Sequence, residues 1–368
     1  MLVWLSLVFG CATPAPDPGL SADAIEAWIP AGTASRAEWA AAVHDALEAA
    51  GQPVDEDHVC QVLAVVEQES GYRADPAVPG LAGMAEQALL ERLEGAAGPL
   101  GDDVLDLLLD ATAEGATETF RTRLAAVRTE RDLDQLYQDL VDHHESRVPG
   151  VSAVRSVLAP RWVERHNPVE TAGSMQVAVA WALDHRGGAS REDVRDALYT
   201  TEGGVRYGTA RLFAHDAAYD HAVHRFADYN AGLYASRNAA FQDRISDLTG
   251  ARLAPDGDLL VWNPRGRPRH RQDGETLTAL VAWAEQSATG LDAAAVRRDL
   301  LHEKSAELER TRTWTVVNDA WRANTGRPLE VARIPDVTLD SPKLSGTWTT
   351  RTFAERTDRR YQACLARR

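Results

Sequence analysis

Most long stretches of this chain carry their apolar residues at helical spacing, and very few alternate at the two-residue period of a half-buried strand. Amphipathic segments cover residues 21–50, 55–70, 102–109, 119–127, 133–140, 202–215, 221–227, 238–249, 276–286, 291–324 and 352–365. Asn167-Pro168 interrupts the pattern, Gly173 opens a helix running to about Ala182, and Gly250 ends another. Only residues 258–262 read as a short strand, and 328–350 as an extended, Pro-punctuated segment. No internal repeat or low-complexity tract is present. The expected fold is therefore mostly α. The chain has 368 residues, 44% of them hydrophobic, which suffices for a large core.

The formal net charge is -16. A nucleic-acid-binding surface must neutralise phosphates, so this balance argues against nucleic acid as a partner. It also argues against broad electrostatic adhesion to anionic membranes. No phosphate-cradling glycine loop, paired-cysteine motif or nucleophile elbow occurs. No cofactor is expected.

One carboxylate stands out. Val62, Val65, Val66 and Glu69 fall at i, i+3, i+4 and i+7, so Glu69 lies on the apolar stripe where Gly71 closes the helix. Glu67 lies off that stripe. A carboxyl on a buried face is expected to have a raised pKa, which suits a general acid. Taken alone, a Glu in this position more often ends the stripe at the surface or pairs with an Arg.

Two further segments carry polar groups at turns. Gly173-Ser174-Met175-Gln176-Val177 reads as a turn entering an apolar helix, and Ala227-Asp228-Tyr229-Asn230-Ala231-Gly232 as a helix end with an amide and a Gly. With Glu69-Ser70, these resemble the three signatures of the soluble lytic transglycosylase catalytic domain, in the lysozyme-like superfamily: Glu-Ser, then Gly-x-Met-Gln, then Tyr-Asn-Ala-Gly. Gly204-Val205-Arg206-Tyr207-Gly208 resembles that family's Asn-Ile-Arg-x-Gly helix. Four motifs in order are specific. The run from Cys60 to Leu81 also resembles a narrower group of bacterial lipoproteins of unassigned function.

The resemblance covers about residues 55–80 and 165–250. In the family the second motif follows the Glu closely, whereas roughly ninety extra residues intervene here, far more than a loop. The expected organisation is a signal and tether over 1–22, the first part of a lysozyme-like core over 23–80, a helical insertion over 81–164, the second part of the core over 165–250, and an extension over 251–368 that packs on the core.

The resemblance implies cleavage of peptidoglycan glycan strands. Glu69 would protonate the oxygen linking N-acetylmuramic acid to N-acetylglucosamine. It would then deprotonate the muramoyl 6-hydroxyl, which closes a 1,6-anhydro ring without water, unlike the usual two-carboxylate scheme. Tyr229 would orient Glu69. Gln176 and Asn230 would bind sugar hydroxyl or acetamido groups, and Ser70 would support the turn or the substrate. Gly173, Met175 and Gly232 complete the motifs structurally, with Met175 as groove wall or core.

The chain begins with a short apolar run, Leu2 to Gly10, followed by Cys11. Crossing a bilayer takes about 20 residues, so this run suits a secretory signal better than a span. Gly10-Cys11 resembles a bacterial lipobox, in which the Cys is lipidated. Ala12, rather than Asp, implies the periplasmic face of the outer membrane. Thr13 to Gly19 is a Pro-rich tether. With Cys11 lipidated, Cys60 and Cys364 remain as an even pair in an oxidising compartment: either a disulfide or two buried thiols.

Three alternatives remain open from sequence. A non-catalytic protein of the same fold would hold peptidoglycan without cutting it. A hydrolytic muramidase would need a positioned water and usually a second carboxylate, for which Asp228 and Glu67 are candidates. A metalloprotein could use His221, His224 and Asp228, which share a helical face, although solvated residues of these types are commoner.

Overall fold

The computed structural model describes residues 19–147, 167–263, 268–269, 272–339 and 348–367. Cys11 and the expected leader lie outside the described residues, as does the end of the expected insertion. The described chain is mostly helical, as the apolar spacing requires. It opens with α1 (Ala22–Glu26), α2 (Arg36–Ala49) and α3 (Glu56–Glu69). The segment expected as an insertion, called the insertion below, supplies α4 (Leu81–Ala97), α5 (Gly101–Leu109), α6 (Phe120–Ala126) and α7 (Glu130–Arg147). A two-stranded hairpin, β1 (Thr171–Ala172) and β2 (Val177–Ala178), leads into α8 (Val179–Asp184), α9 (Arg191–Leu198), α10 (Thr201–Leu212), α11 (Ala222–Ala231) and α12 (Ala235–Thr249). The rest comprises α13 (Glu275–Gln286), α14 (Ala293–Leu300), α15 (Arg312–Thr325), a small antiparallel pair β3 (Thr338–Leu339) and β4 (Trp348–Thr349), and α16 (Thr350–Leu365).

The helix ends follow their capping chemistry. Asp55 accepts the His58 backbone N–H at 2.9 Å and starts α3. Ser190 and Asp193 form a reciprocal capping box on α9. Outside the motif segments, three elements differ from expectation. Residues 21–50 are two helices, because a turn at Pro30, closed by the Thr33 N–H, separates α1 from α2. Residues 291–324 are likewise broken, by a 3₁₀ turn at Ala306–Arg310. Residues 258–262 are not a strand: the backbone N–H groups of Leu259 and Leu260 go to the Glu303 carboxylate instead of a neighbouring strand.

Two hydrophobic clusters hold these elements. The larger joins α1–α3 to Leu93, Leu105, Leu109, Phe120 and Leu124 of the insertion, to α8–α11, and to Ala354 and Cys364 of α16. The insertion therefore shares one core with the segments around it. The smaller cluster is built by Phe241 and Ile245 of α12 with Leu277, Leu280, Val296, Leu300 and Val317. Residues 251–368 thus divide, since α13–α15 serve the second cluster while α16 returns to lie against α3.

That return is covalently fixed. Cys60 of α3 and Cys364 of α16 form a disulfide, resolving the two readings of the pair. Tyr361 donates to Asp57 at 2.6 Å, and Arg367 and Arg360 approach Glu67 at 3.5 and 3.8 Å.

The second cluster encloses a carboxyl. Glu303 is fully buried and accepts the backbone N–H groups of Leu259 at 2.6 Å and Leu260 at 2.9 Å, together with the indole N–H of Trp262. Those donors favour the ionised form, but burial outweighs them, and with the nearby Asp258 charge it pushes the carboxyl up to about 8. The folded protein therefore holds a proton there that the unfolded chain releases in the ordinary carboxylate range. Stability from this group is present below that range and is lost as pH rises towards about 8. Urea midpoints measured at pH 5, 6.5 and 8 should fall in that order, and Glu303→Gln should flatten the trend. A trend of the same slope in the variant would assign the pH dependence to other groups.

Candidate functional site

Glu69 is the last residue of α3, and its burial follows from the stripe beneath it. Val62, Val65 and Val66 are fully buried, Glu69 is half-buried, and Gly71 leaves the helix with φ +58°. Ser70 is 2% exposed, donates its hydroxyl to the Val66 carbonyl at 3.0 Å and accepts the Arg73 N–H at 3.3 Å. Its hydroxyl is used by the local turn.

The second motif is the tip of a hairpin rather than the start of a helix. Thr171 pairs with Ala178 and Ala172 with Val177, leaving Gly173, Ser174, Met175 and Gln176 as the four-residue turn. Gly173 at φ +78° and Gln176 at φ +48° are both left-handed, which no continuous right-handed helix accommodates. The helix consequently begins only at Val179. The turn is pressed against α10. A Cβ at Gly204 would overlap the Ser174 hydroxyl, and one at Gly208 would overlap the Met175 side chain. The fourth motif is thus the platform on which the second is seated. Met175 is fully buried, as core rather than groove wall.

The third motif meets this turn from α11. The Tyr229 hydroxyl donates to the Met175 carbonyl at 2.7 Å. Burial, then the charge of Glu69, raises its pKa well above the usual phenol value. The motifs at 173–176 and 229 therefore meet in one contact, within the electrostatic reach of Glu69, and the Tyr229 proton is given to the Met175 carbonyl. Asn230 is exposed, and its amide oxygen accepts the Thr350 hydroxyl at 3.0 Å, at the start of α16. Gly232 caps α11 at φ +121°.

Gln176 is also engaged. Its amide oxygen accepts the Thr171 hydroxyl at 2.8 Å, while its amide nitrogen donates to Glu130 at 2.9 Å and to the Gly173 carbonyl at 3.3 Å. Glu130 comes from the insertion and is 2% exposed. Sequence gave no hint of it, because an acidic residue at a helix start is ordinary. Arg211 was missed as well. Burial lowers its pKa, the Tyr229 hydroxyl and the Asp228 carboxyl nearby oppose this, and its Nη1 is buried without a hydrogen-bond partner among the described residues.

The two carboxylates that sequence offered as helpers are committed elsewhere. Asp228 is fully buried and accepts from Tyr219 at 2.6 Å and from the Ser236 N–H at 2.6 Å, and it pairs with His215 at 2.8 Å. Glu67 faces Arg360 and Arg367. Asp228 therefore joins α11 to its neighbours and does not converge with His221 and His224 on a common point. Among the described residues, the one convergent His and carboxylate trio is His44, Asp45 and Glu48, on the surface of α2. Beside Glu130 a cleft of about 590 Å³ opens between the insertion and α9, with Arg131, Asp134, Asp196 and Tyr199 in its lining.

A family model described as "Protein of unknown function (DUF1615)" matches residues 32–367. The chain belongs to this family. It is similar to "Uncharacterized protein YaiW" of Escherichia coli (strain K12), with 33% identity over 374 residues, covering 99% of this chain and 96% of that protein. No solved structure matches. The DUF1615 match runs from just before α2 to the end of α16, so it takes in the insertion, the second cluster and the disulfide-bonded helix together with the motif segments.

Proposed function

We propose that this DUF1615 protein cleaves peptidoglycan glycan strands as a lytic transglycosylase, with Glu69 as acid and then base. The observation that carries the reading is the contact of Tyr229 with the Met175 carbonyl at 2.7 Å, under the charge of Glu69. It joins three segments, the first and last 160 positions apart in sequence (69 to 229), in the order and with the residue types of the resemblance. Fold resemblance alone would not support an activity, since activity resides in the site. In the proposed reaction the Glu69 proton passes to the departing oxygen as the bond to C1 breaks. The 6-hydroxyl oxygen then bonds C1 and returns a proton to Glu69. Tyr229, fixed by Met175, forms the wall beside the carboxyl. Peptidoglycan is the proposed partner. The proposed location is the periplasmic face of the outer membrane, through lipid on Cys11. The Cys60–Cys364 disulfide supports an oxidising compartment, and no described helix is long and apolar enough to cross a membrane.

A second reading has its own support. Gln176 spends its amide on Thr171, Glu130 and Gly173, and Asn230 spends its oxygen on Thr350, so the predicted sugar contacts are largely committed within the protein. That favours a protein that holds glycan without cutting it. Incubating the purified full-length protein with peptidoglycan separates the readings by mass spectrometry of released muropeptides. Wild type should release anhydro-muropeptides, and Glu69→Gln should lower the rate about 10³-fold, the scale of a lost general acid. Reducing ends would indicate hydrolysis. Glycan binding with no released fragment would establish the binding protein and reject the enzyme.

A further inference from the structure

We infer that Glu130, delivered by the inserted helices, is a positioning residue of the proposed site, acting through Gln176; this rests on the lytic reading above. The insertion is then a working wall of the site rather than a cover over it.

The geometry begins with an improbable backbone. Gln176 sits at φ +48°, where residues other than glycine stay only if their surroundings hold them. Its backbone N–H reaches the Gly173 carbonyl at 3.1 Å, and its side chain is clamped from two sides, by Thr171 on the oxygen and Glu130 on the nitrogen. Glu130 accepts from the amide nitrogen through a carboxyl oxygen, so it fixes which end of the amide faces it. A neutral amide at position 130 could present either end and would leave Gln176 free to turn over. The orientation matters because Gln176 adjoins Met175, whose carbonyl holds the Tyr229 hydroxyl near Glu69.

Glu130 is itself held firmly. It opens α7, an 18-residue helix whose N-terminus favours negative charge. The Tyr199 hydroxyl donates to its carbonyl at 3.4 Å. One turn on, buried Asp134 accepts from Arg195 and Asn167, each at 2.7 Å, docking the same face of α7 on the core. The chain that leaves Glu69 is tied to the residues just before Glu130, by a bridge between Ala77 and Thr129 and by the Val78 N–H to the Arg128 carbonyl at 2.9 Å. Glu69 and Glu130 are therefore linked along the backbone as well as through Gln176 and Tyr229.

Steady-state cleavage of soluble glycan strands by the full-length protein tests the assignment. Glu130→Gln should lower kcat about tenfold and leave KM within about twofold, because orientation and not ground-state binding is lost. Its melting temperature should stay near that of wild type, since the replacement is isosteric. Thr171→Val, which frees the other end of the amide, should lower kcat in the same way. The double variant Glu130→Gln with Gln176→Glu restores an acceptor facing a donor and should recover part of the loss. An active wild type with an unchanged Glu130→Gln kcat overturns this inference and leaves the lytic reading standing. So does a kcat loss matched by a fall in melting temperature, which would make Glu130 a structural prop. A wild type that releases no fragments removes the lytic reading, and this assignment with it.

Discussion

Replacing both Cys60 and Cys364 by alanine should lower the stability of the protein by about 5 kcal/mol, one of the two largest effects expected of any substitution here. The bond joins residues 304 positions apart, and both cysteines are essentially fully buried. In the chain-entropy account the stabilisation grows with the logarithm of the closed loop, and a loop this long lies near the top of the usual range, about 4–5 kcal/mol or slightly more. The other ties between α3 and α16 do not replace it. The Glu67 pairs with Arg360 and Arg367 are 3.5 Å or longer and partly exposed, so they add little, and Tyr361 with Asp57 is a single bond near the surface. The check is equilibrium denaturation of oxidised wild type against the double variant, with reductant-treated wild type as a second form. The midpoint should fall in both. Equal midpoints would mean that α16 stays docked without the bond, or that the open chain is already compact. The effect should reach the proposed site, because α3 ends in Glu69 and Asn230 is bonded to Thr350 at the head of α16.

How much of this was readable in the sequence depends on the range of the forces involved. The stripe Val62, Val65, Val66 with Glu69 at its end is local, and α3 forms as the spacing demands. The cysteine pair was readable as arithmetic, with its alternative left open until the two helices were placed together. The hairpin at 171–178 was not readable, because Val177 to Leu183 is apolar enough for one helix, and the left-handed Gly173 and Gln176 break it. Its side chain is held by Glu130, 46 positions earlier, a contact that no local pattern reports. The same holds for Glu303, which takes the place of a strand partner for Leu259 and Leu260. Ser70 was legible in part: of the two roles its motif position allowed, turn or substrate, the helix end takes the hydroxyl.

Gly173→Ala should cost about 3 kcal/mol or more and should disable the proposed site even in the fraction that remains folded. Two separate penalties add there. At φ +78° an L residue is strained by roughly 1–2 kcal/mol. The new Cβ would also overlap the Leu198 carbonyl oxygen, a backbone atom at the end of α9 that cannot swing aside. Relief requires the hairpin tip to lift from α9 and α10, which carries Met175 away from its seat against Gly208 and withdraws the carbonyl that holds Tyr229. Gly187→Ala is the matched control. Its φ is +60°, but nothing lies within 4 Å of the added Cβ, so it should show only the conformational penalty. Urea midpoints for the two variants separate strain from overlap. A Gly173→Ala loss no larger than that of Gly187→Ala would mean that the hairpin tip adapts and that its seating on α9 and α10 is loose. If the difference appears as argued, glycan cleavage by Gly173→Ala, measured well below its melting temperature, should fall further than the folded fraction alone predicts. That excess is the signature of a turn that positions Tyr229 and not merely of one that completes the core.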